Sequence, residues 1–374
     1  MTTSIGGTTG VTFPDASVQN TAATGFGFKN RIINGAMVID QRNAGASVTG
    51  NNTVFGTDRF RIGATQSSKL TMQQNAGSVT PPAGFKNYLG ITSSSAYSVL
   101  AGDYFLVGQP VEGFNTSDLG FGAAGASTVT LSFWVRSSLT GTFGGAINNS
   151  AYNRSYPFSY TISAANTWEQ KSVTIAGDTS GTWIGATNGV GLYAWFNLGT
   201  GSTGSTTANA WAAGAYYAPT GATSVVGTNG ATFYITGVQL EKGSTATSFD
   251  YRPYGAELAL CQRYYYRVIG SNNTYLGIGQ VSSAGTNAVI QVPFPVSMRV
   301  NPTSLDQTGT ASNYKMSQAS TANVSCTSVP TLAGNGTSFY GGVLYTASGL
   351  GGTAGQVTMG STDGTGYLGF SAEL

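Results

Sequence analysis

The 374-residue chain contains no histidine. That absence excludes Ser-His-Asp hydrolysis, histidine general-base chemistry and histidine-ligated zinc or iron. Charge is also scarce: 16 Lys and Arg against 14 Asp and Glu make up 8% of the residues and leave a formal net charge of +2. The basic residues are scattered, so no stripe exists to track a phosphate backbone, and nucleic acid is not an expected partner. The acidic residues form no sequence-adjacent pair suggesting a two-carboxylate glycosidase centre, and the chain has no regular repeat of the kind that builds a solenoid. The two cysteines, Cys261 and Cys326, lie far apart and are expected as buried reduced thiols rather than a disulfide. No apolar run approaches the roughly 20 residues needed to span a bilayer, and Met1-Thr-Thr-Ser-Ile-Gly-Gly7 lacks the regions of a signal peptide. Synthesis in a cytoplasm, without membrane insertion, is the expectation.

What the chain has instead is glycine, with 54 residues, and aromatics at 11%. Glycine with Ser, Thr and Asn suits short strands and tight turns, while the aromatics suffice to fill several small cores. The length suggests two or three domains. The predicted fold class is all-β: an N-terminal strand segment, an antiparallel jelly-roll β-sandwich, a short connecting helix and a C-terminal β-sandwich domain.

Residues 1–28 are too short to hold a core, yet Val11, Phe13 and Val18 alternate with polar residues around a Pro14-Asp15 turn. Such a face needs neighbours, so this segment is expected to mediate attachment or self-association. Residues 29–252 carry a series of short β patterns. Asn30 to Asp40 places β-branched residues on both sides of an Asn-Gly turn or bulge. Thr128 to Arg136 alternates fully, with Val129, Leu131, Phe133 and Val135 on one face and Thr130, Ser132, Trp134 and Arg136 on the other. The same period recurs in 170–175, 190–198 and 232–240, which predicts two stacked antiparallel layers. Within 181–230, the run Gly199 to Thr207 reads as a mobile surface loop. Residues 253–266 contain a helical pattern in which Leu258, Cys261 and Tyr265 share a face. Residues 267–374 form a second β unit, in which Pro293 and Pro295 direct their segment to an edge or bulge.

Trp134, Trp168, Trp183, Trp195 and Trp211 each have two readings. For any one of them packing is the more common role. The other role is a flat platform on which sugar rings stack. Trp134 with Arg136, and Tyr193 with Trp195 and Asn197, lie opposite the aliphatic faces of their strands, which marks these five as candidate carbohydrate contacts. No residue is assigned to catalysis or to a metal. Asn34 and Asp40 are the conceivable oxygen ligands for calcium, without further support.

Several stretches carry a family resemblance. Thr9 to Gln19, "TGVTFPDASVQ", resembles a short element at the interfaces and attachment ends of phage tail fibres. "LSFWVRSS" at 131–138, "TWEQKSVTI" at 167–175 and "FYITGVQLEKG" at 233–243 look like strands of the jelly-roll carbohydrate-binding modules of tail-fibre-like proteins. "ELALCQRYY" at 257–265 is similar to the junction that follows such modules. In metal-binding relatives an Asp often sits beside the valine of the last strand, where this chain has Gly237 before Val238. The resemblance implies a virion protein, a tail fibre or receptor-binding protein, made in the cytoplasm of a bacterial host. It implies non-catalytic, multivalent adhesion to host-surface glycans, a homotrimer, and contacts with other tail or capsid proteins through the N-terminal segment. A purely structural virion component such as a capsid-attached fibre, decoration or collar protein is the alternative, and a polysaccharide depolymerase comes third.

Overall fold

A computed structural model describes residues 4–6, 10–12, 18–19, 29–270, 274–282, 285–318, 323–334, 336–347 and 353–374. At the N-terminus Gly10–Thr12 pairs antiparallel with both Ser4–Gly6 and Val18–Gln19. Phe13, Pro14 and Asp15, which the sequence places in the intervening turn, lie outside the described residues.

The protein is all-β apart from short 3-10 turns and one α-helix among the described residues, Tyr254–Gln262. Its main body is a sandwich of two antiparallel sheets. One has the strand order Glu169–Ile175, Val129–Ser137, Thr232–Lys242, Leu89–Ser93, Leu70–Gln74, Val48–Thr49; the other runs Ala212–Ala213, Arg154–Ile162, Gly141–Asn148, Val190–Thr200, Tyr104–Glu112, Phe60–Ala64, Phe55–Thr57. Alternation drives the stacking. Val129, Leu131, Phe133 and Val135 are wholly buried, and Phe133 meets Phe196 and Tyr160 of the opposite sheet edge-on at 4.8 and 4.9 Å. Each such side chain contributes about 1.5–3 kcal/mol by leaving water.

Two segments depart from the expected pattern. Asn30 to Asp40 forms no strand. It is a buried, irregular run stitched to the Thr232–Lys242 strand: the Asn30 amide donates to Val238 O at 3.1 Å and its side-chain oxygen accepts from Leu240 N at 3.1 Å. Asn34 and Met37 have φ of 60° and 56°, a left-handed geometry that a continuous ladder cannot hold. Nor is the glycine-rich run after 199 a free loop. Gly201 N and Thr203 N bond to Asp103 O and Ala101 O at 2.8 and 3.0 Å, and the excursion returns Val225 and Val226, fully buried, to the core.

The C-terminal domain has its own core around Ile290, Tyr314, Val343, Tyr345, Leu368 and Phe370. Its larger sheet runs Val324–Ser325, Tyr314–Ser317, Val357–Thr362, Thr274–Val281, Asn287–Pro293, Tyr340–Thr346, Ser328–Leu332; a three-stranded sheet joins Tyr265–Ile269, Tyr367–Ser371 and Ser304–Gln307. The Asn287–Pro293 strand is thus interior rather than at an edge. Pro293 is tolerated because it is the last residue, paired with Tyr340 on one side only, while the ladder to the other neighbour stops at Gln291.

Between the two cores the helix buries Cys261 with Ile33, Ile39 and Tyr264. Tyr265 does not share the helical face, because the chain has already turned into the Tyr265–Ile269 strand. Several charged residues pair at this junction. Arg263 grips Glu112 with two bonds of 3.0 and 2.6 Å, and the Tyr264 hydroxyl donates to the same carboxylate at 2.5 Å. Glu373 pairs with Arg42 at 3.0 Å and with the buried Arg59. Arg42 also lies 3.5 Å above the Tyr265 ring, and Arg299 donates to Ala372 O at 2.8 Å and Asn188 O at 2.7 Å.

Candidate functional site

The five candidate contacts divide between the two outer faces of the sandwich. Trp134 and Arg136 are half-buried on the outer face of the six-stranded sheet, and loops cover much of that face. A Cβ on Gly237 would come 2.6 Å from Phe85 Cζ and 3.1 Å from Trp134 Cδ1, so both rings close over the bare α-carbon. Phe85 contacts Phe249 and Tyr251 at 5.1 and 5.5 Å. Arg136 donates to Asn166 O at 2.9 Å and lies 5.4 Å from the Tyr234 ring. Alongside, Trp168 packs edge-on against Tyr88, its indole N–H bonded to Thr80 O at 2.9 Å.

Tyr193, Trp195 and Asn197 lie on the outer face of the seven-stranded sheet. Here the rings form a row. Trp195 stacks on Tyr193 at 5.6 Å and 11°, and Tyr193 on Tyr152 at 4.7 Å and 19°. Tyr152 meets Tyr217 at 5.7 Å and 63°, and Tyr217 meets Tyr104 at 4.8 Å and 41°. The four tyrosines are half-buried and Trp195 is 2% exposed. Offset and edge contacts of this kind hold rings without filling every face.

Small residues beneath the row let it sit down on the sheet. A Cβ on Gly108 would lie 2.8 Å from Trp195 Cε3, and one on Gly63 3.7 Å from Trp195 Cη2. Tyr152 comes from the hairpin between Gly141–Asn148 and Arg154–Ile162, at a φ of 52°. Asn149 holds that turn: its side-chain oxygen accepts from Asn153 N and Arg154 N at 3.0 and 3.1 Å, and its backbone carbonyl accepts from Tyr152 N at 3.1 Å. Tyr217 is delivered by the glycine-rich excursion, its N–H bonded to Gly204 O at 2.8 Å. Tyr104 begins its strand beside Asp103. Burial pushes the Asp103 carboxyl up, but bonds from Tyr97, Thr65 and Leu100 outweigh it and bring the group to about 2.

Asn197 is 1% exposed and braces the bulge in its own strand; its side-chain oxygen accepts from Gly199 N at 3.0 Å and Thr200 Oγ1 at 2.7 Å. Trp183 and Trp211 cap the core at the end of the sandwich, their indole N–H groups bonded to Asp178 and to Ala176 O at 3.2 and 2.7 Å. Tyr104, Tyr152 and Tyr217 were not singled out by sequence reasoning. A hairpin turn and an irregular excursion deliver two of them, and neither has a periodicity to read.

Every carboxylate among the described residues already has a partner in the protein, and no hydrogen bond or ion pair joins one to the aromatic row. Among the described residues no group of three or more Cys, Asp or Glu comes together as a metal site. The oxygens of Asn34 and Asp40 accept backbone bonds, from Ile39 N at 2.9 Å and from Asn43 N and Gly45 N at 3.0 and 2.7 Å. No helix among the described residues is long and apolar enough to cross a membrane.

No protein-family profile and no curated protein matches this chain. Solved structures do show likeness. A putative sugar binding protein from Bacteroides thetaiotaomicron is 13% identical, with a TM-score of 0.34, over 57% of this chain and 100% of its own. A family 11 carbohydrate-binding module from Clostridium thermocellum, in complex with a β-1,3-1,4-mixed-linked tetrasaccharide, is 8% identical with a TM-score of 0.26, over 56% and 100%. The enzymatically active domain of tailspike protein 4 of bacteriophage CBA120 is 12% identical with a TM-score of 0.32, over 57% of this chain but only 21% of that one. Scores of this size carry no argument about function.

Proposed function

We propose that this chain is a non-catalytic adhesin module that binds glycans through the outer face of its seven-stranded sheet. The row Trp195, Tyr193, Tyr152, Tyr217 and Tyr104 carries the reading. The four half-buried tyrosines offer apolar surface to the C–H groups of sugar rings, and their phenol groups offer hydrogen bonds to sugar hydroxyls. Contacts of this kind are individually weak, so their use is multivalent; linked copies raise avidity by roughly 10²–10⁴. The tail-fibre-like sequence elements at 9–19 and 257–265 support placing it on a phage particle as a homotrimer that attaches to other virion proteins through residues 1–28.

A glycan array probed with the full-length protein tests the binding. Signal that disappears in the Tyr193→Ala variant is the expected result, and an array without any bound glycan overturns the reading in favour of a structural virion component. Light scattering of the full chain returning a monomer removes the trimer.

A further inference from the structure

We infer that the aromatic row takes an acidic glycan, with Arg61 as the residue that holds its anionic group. The inference deepens the glycan-binding reading and rests on it. Nine of the ten arginines, all within the described residues, donate to a protein carboxylate or carbonyl: Arg31, Arg42, Arg59, Arg154, Arg252 and Arg263 to carboxylates, and Arg136, Arg267 and Arg299 to backbone oxygens. Arg61 alone has neither a hydrogen bond nor an ion pair to the protein; its guanidinium lies 5.7 Å from the Trp195 ring, and its Nε is buried without a partner.

A buried, unpartnered Nε is shared with Arg42, Arg59 and Arg267, so what sets the half-buried Arg61 apart is that its terminal nitrogens also lack a protein acceptor. A guanidinium presents five donors in a planar fork, and burying part of it unpaired costs more than burying a neutral group. Its position opposite Gly108, on the outward side of the Phe60–Ala64 strand, puts it beside the row. The side chains of the row beside it carry no acidic group. The Tyr152 hydroxyl lies beside the Tyr193 hydroxyl, the Trp195 indole N–H and the Arg61 charge. The acids along the adjoining strand are already engaged: Glu112 by Arg263 and Tyr264, and Asp103, just before Tyr104, by Tyr97, Thr65 and Gln66. A forked cation with no competing carboxylate matches a carboxylate or sulfate on a sugar, whose oxygens accept two parallel bonds from the fork.

The test is an array of acidic glycans, each with its neutral counterpart: uronates beside carboxyl-reduced forms, sulfated sugars beside desulfated ones. Wild-type protein should bind an acidic member and lose roughly 10- to 100-fold on its neutral counterpart, the range set by a charge-assisted bond. Which pair responds separates carboxylate from sulfate. Arg61→Gln should lose a similar factor on the acidic glycan alone, Arg61→Lys should recover part of it, and both should melt like wild type. Equal binding of neutral counterparts, or Arg61→Gln binding unchanged, overturns the acidic specificity while leaving glycan binding intact. No bound glycan of any kind overturns both.

Discussion

Tyr152 lies flat on Tyr193, ring centroids 4.7 Å apart and planes 19° from parallel, although one comes from a hairpin turn and the other from the strand Val190–Thr200. The pair is the middle of the aromatic row, and Tyr152 reaches it from a left-handed backbone. Such a conformation costs on the order of 1 kcal/mol in a non-glycine residue and persists where the surroundings over-determine it. Replacing Tyr193 by Ala should remove about 2 kcal/mol or more of glycan binding, as expected for an aromatic anchor. Circular dichroism should show the fold intact and affinity electrophoresis the loss.

Gly108 tests the seat of the row. A methyl there meets the Trp195 ring and the Ala194 carbonyl, so Gly108→Ala should destabilise the sandwich by about 1–3 kcal/mol through overpacking. Urea unfolding measures it, and a variant as stable as wild type would show that the strands part without cost.

Glu373 ties the end of the C-terminal domain to the sandwich through Arg42 and Arg59. Glu373→Ala leaves Arg59, 1% exposed, without its counter-charge and held only by the Pro110 carbonyl and the Tyr264 ring, and removing one partner of a buried pair costs up to about 3–5 kcal/mol. Calorimetry should show one transition for the wild type and two for the variant as the domains uncouple.

Asp58 sits at the same junction. Burial raises its carboxyl to about 6, the nearby Glu373 charge adds to this, and hydrogen bonds from Gln41 and the Arg42 charge only partly oppose it. The folded state therefore binds a proton more readily than the unfolded one between about pH 4 and 6, so this residue's contribution to stability falls as pH rises through that window. Asp58→Asn should melt higher than wild type at pH 7, relative to the difference at pH 4, by on the order of 2 kcal/mol at most. Thermal melts at both pH values give the comparison, and a difference that does not change with pH would mean Asp58 titrates normally.

Cys261 and Cys326 are both free and buried. Burial pushes the Cys326 thiol up to about 12 and raises that of Cys261 as well, so neither is a thiolate near neutrality. Ellman's reagent should find almost no thiol in the native protein and two per chain after denaturation. Rapid native reaction would show that the helix or the C-terminal core opens.

Side-chain alternation is a local property, and it was enough to place the strand Val129–Ser137 and to say which of its faces is core. The same alternation put Tyr193 and Trp195 on an outward face. It misread Asn30 to Asp40, where β-branched residues are buried by irregular bonds to another strand, and it took the run after Gly199 for a free loop. Composition gave no hint of the ion pairs at the junction, because Arg42 meets Glu373, and Arg263 meets Glu112, only when the domains dock.

By itself, the sequence determined an all-β protein without histidine chemistry, since strand periodicity and residue inventory need no third dimension. Only the tertiary structure decided the rest. Strand order set Trp134 and Trp195 on opposite outer faces, and a hairpin and an excursion brought Tyr152 and Tyr217 beside Tyr193. Long-range pairing also left Arg61 the one arginine without a protein acceptor. Contacts between residues far apart in the chain carry no local signature, because their geometry exists only once the two sheets have closed on each other.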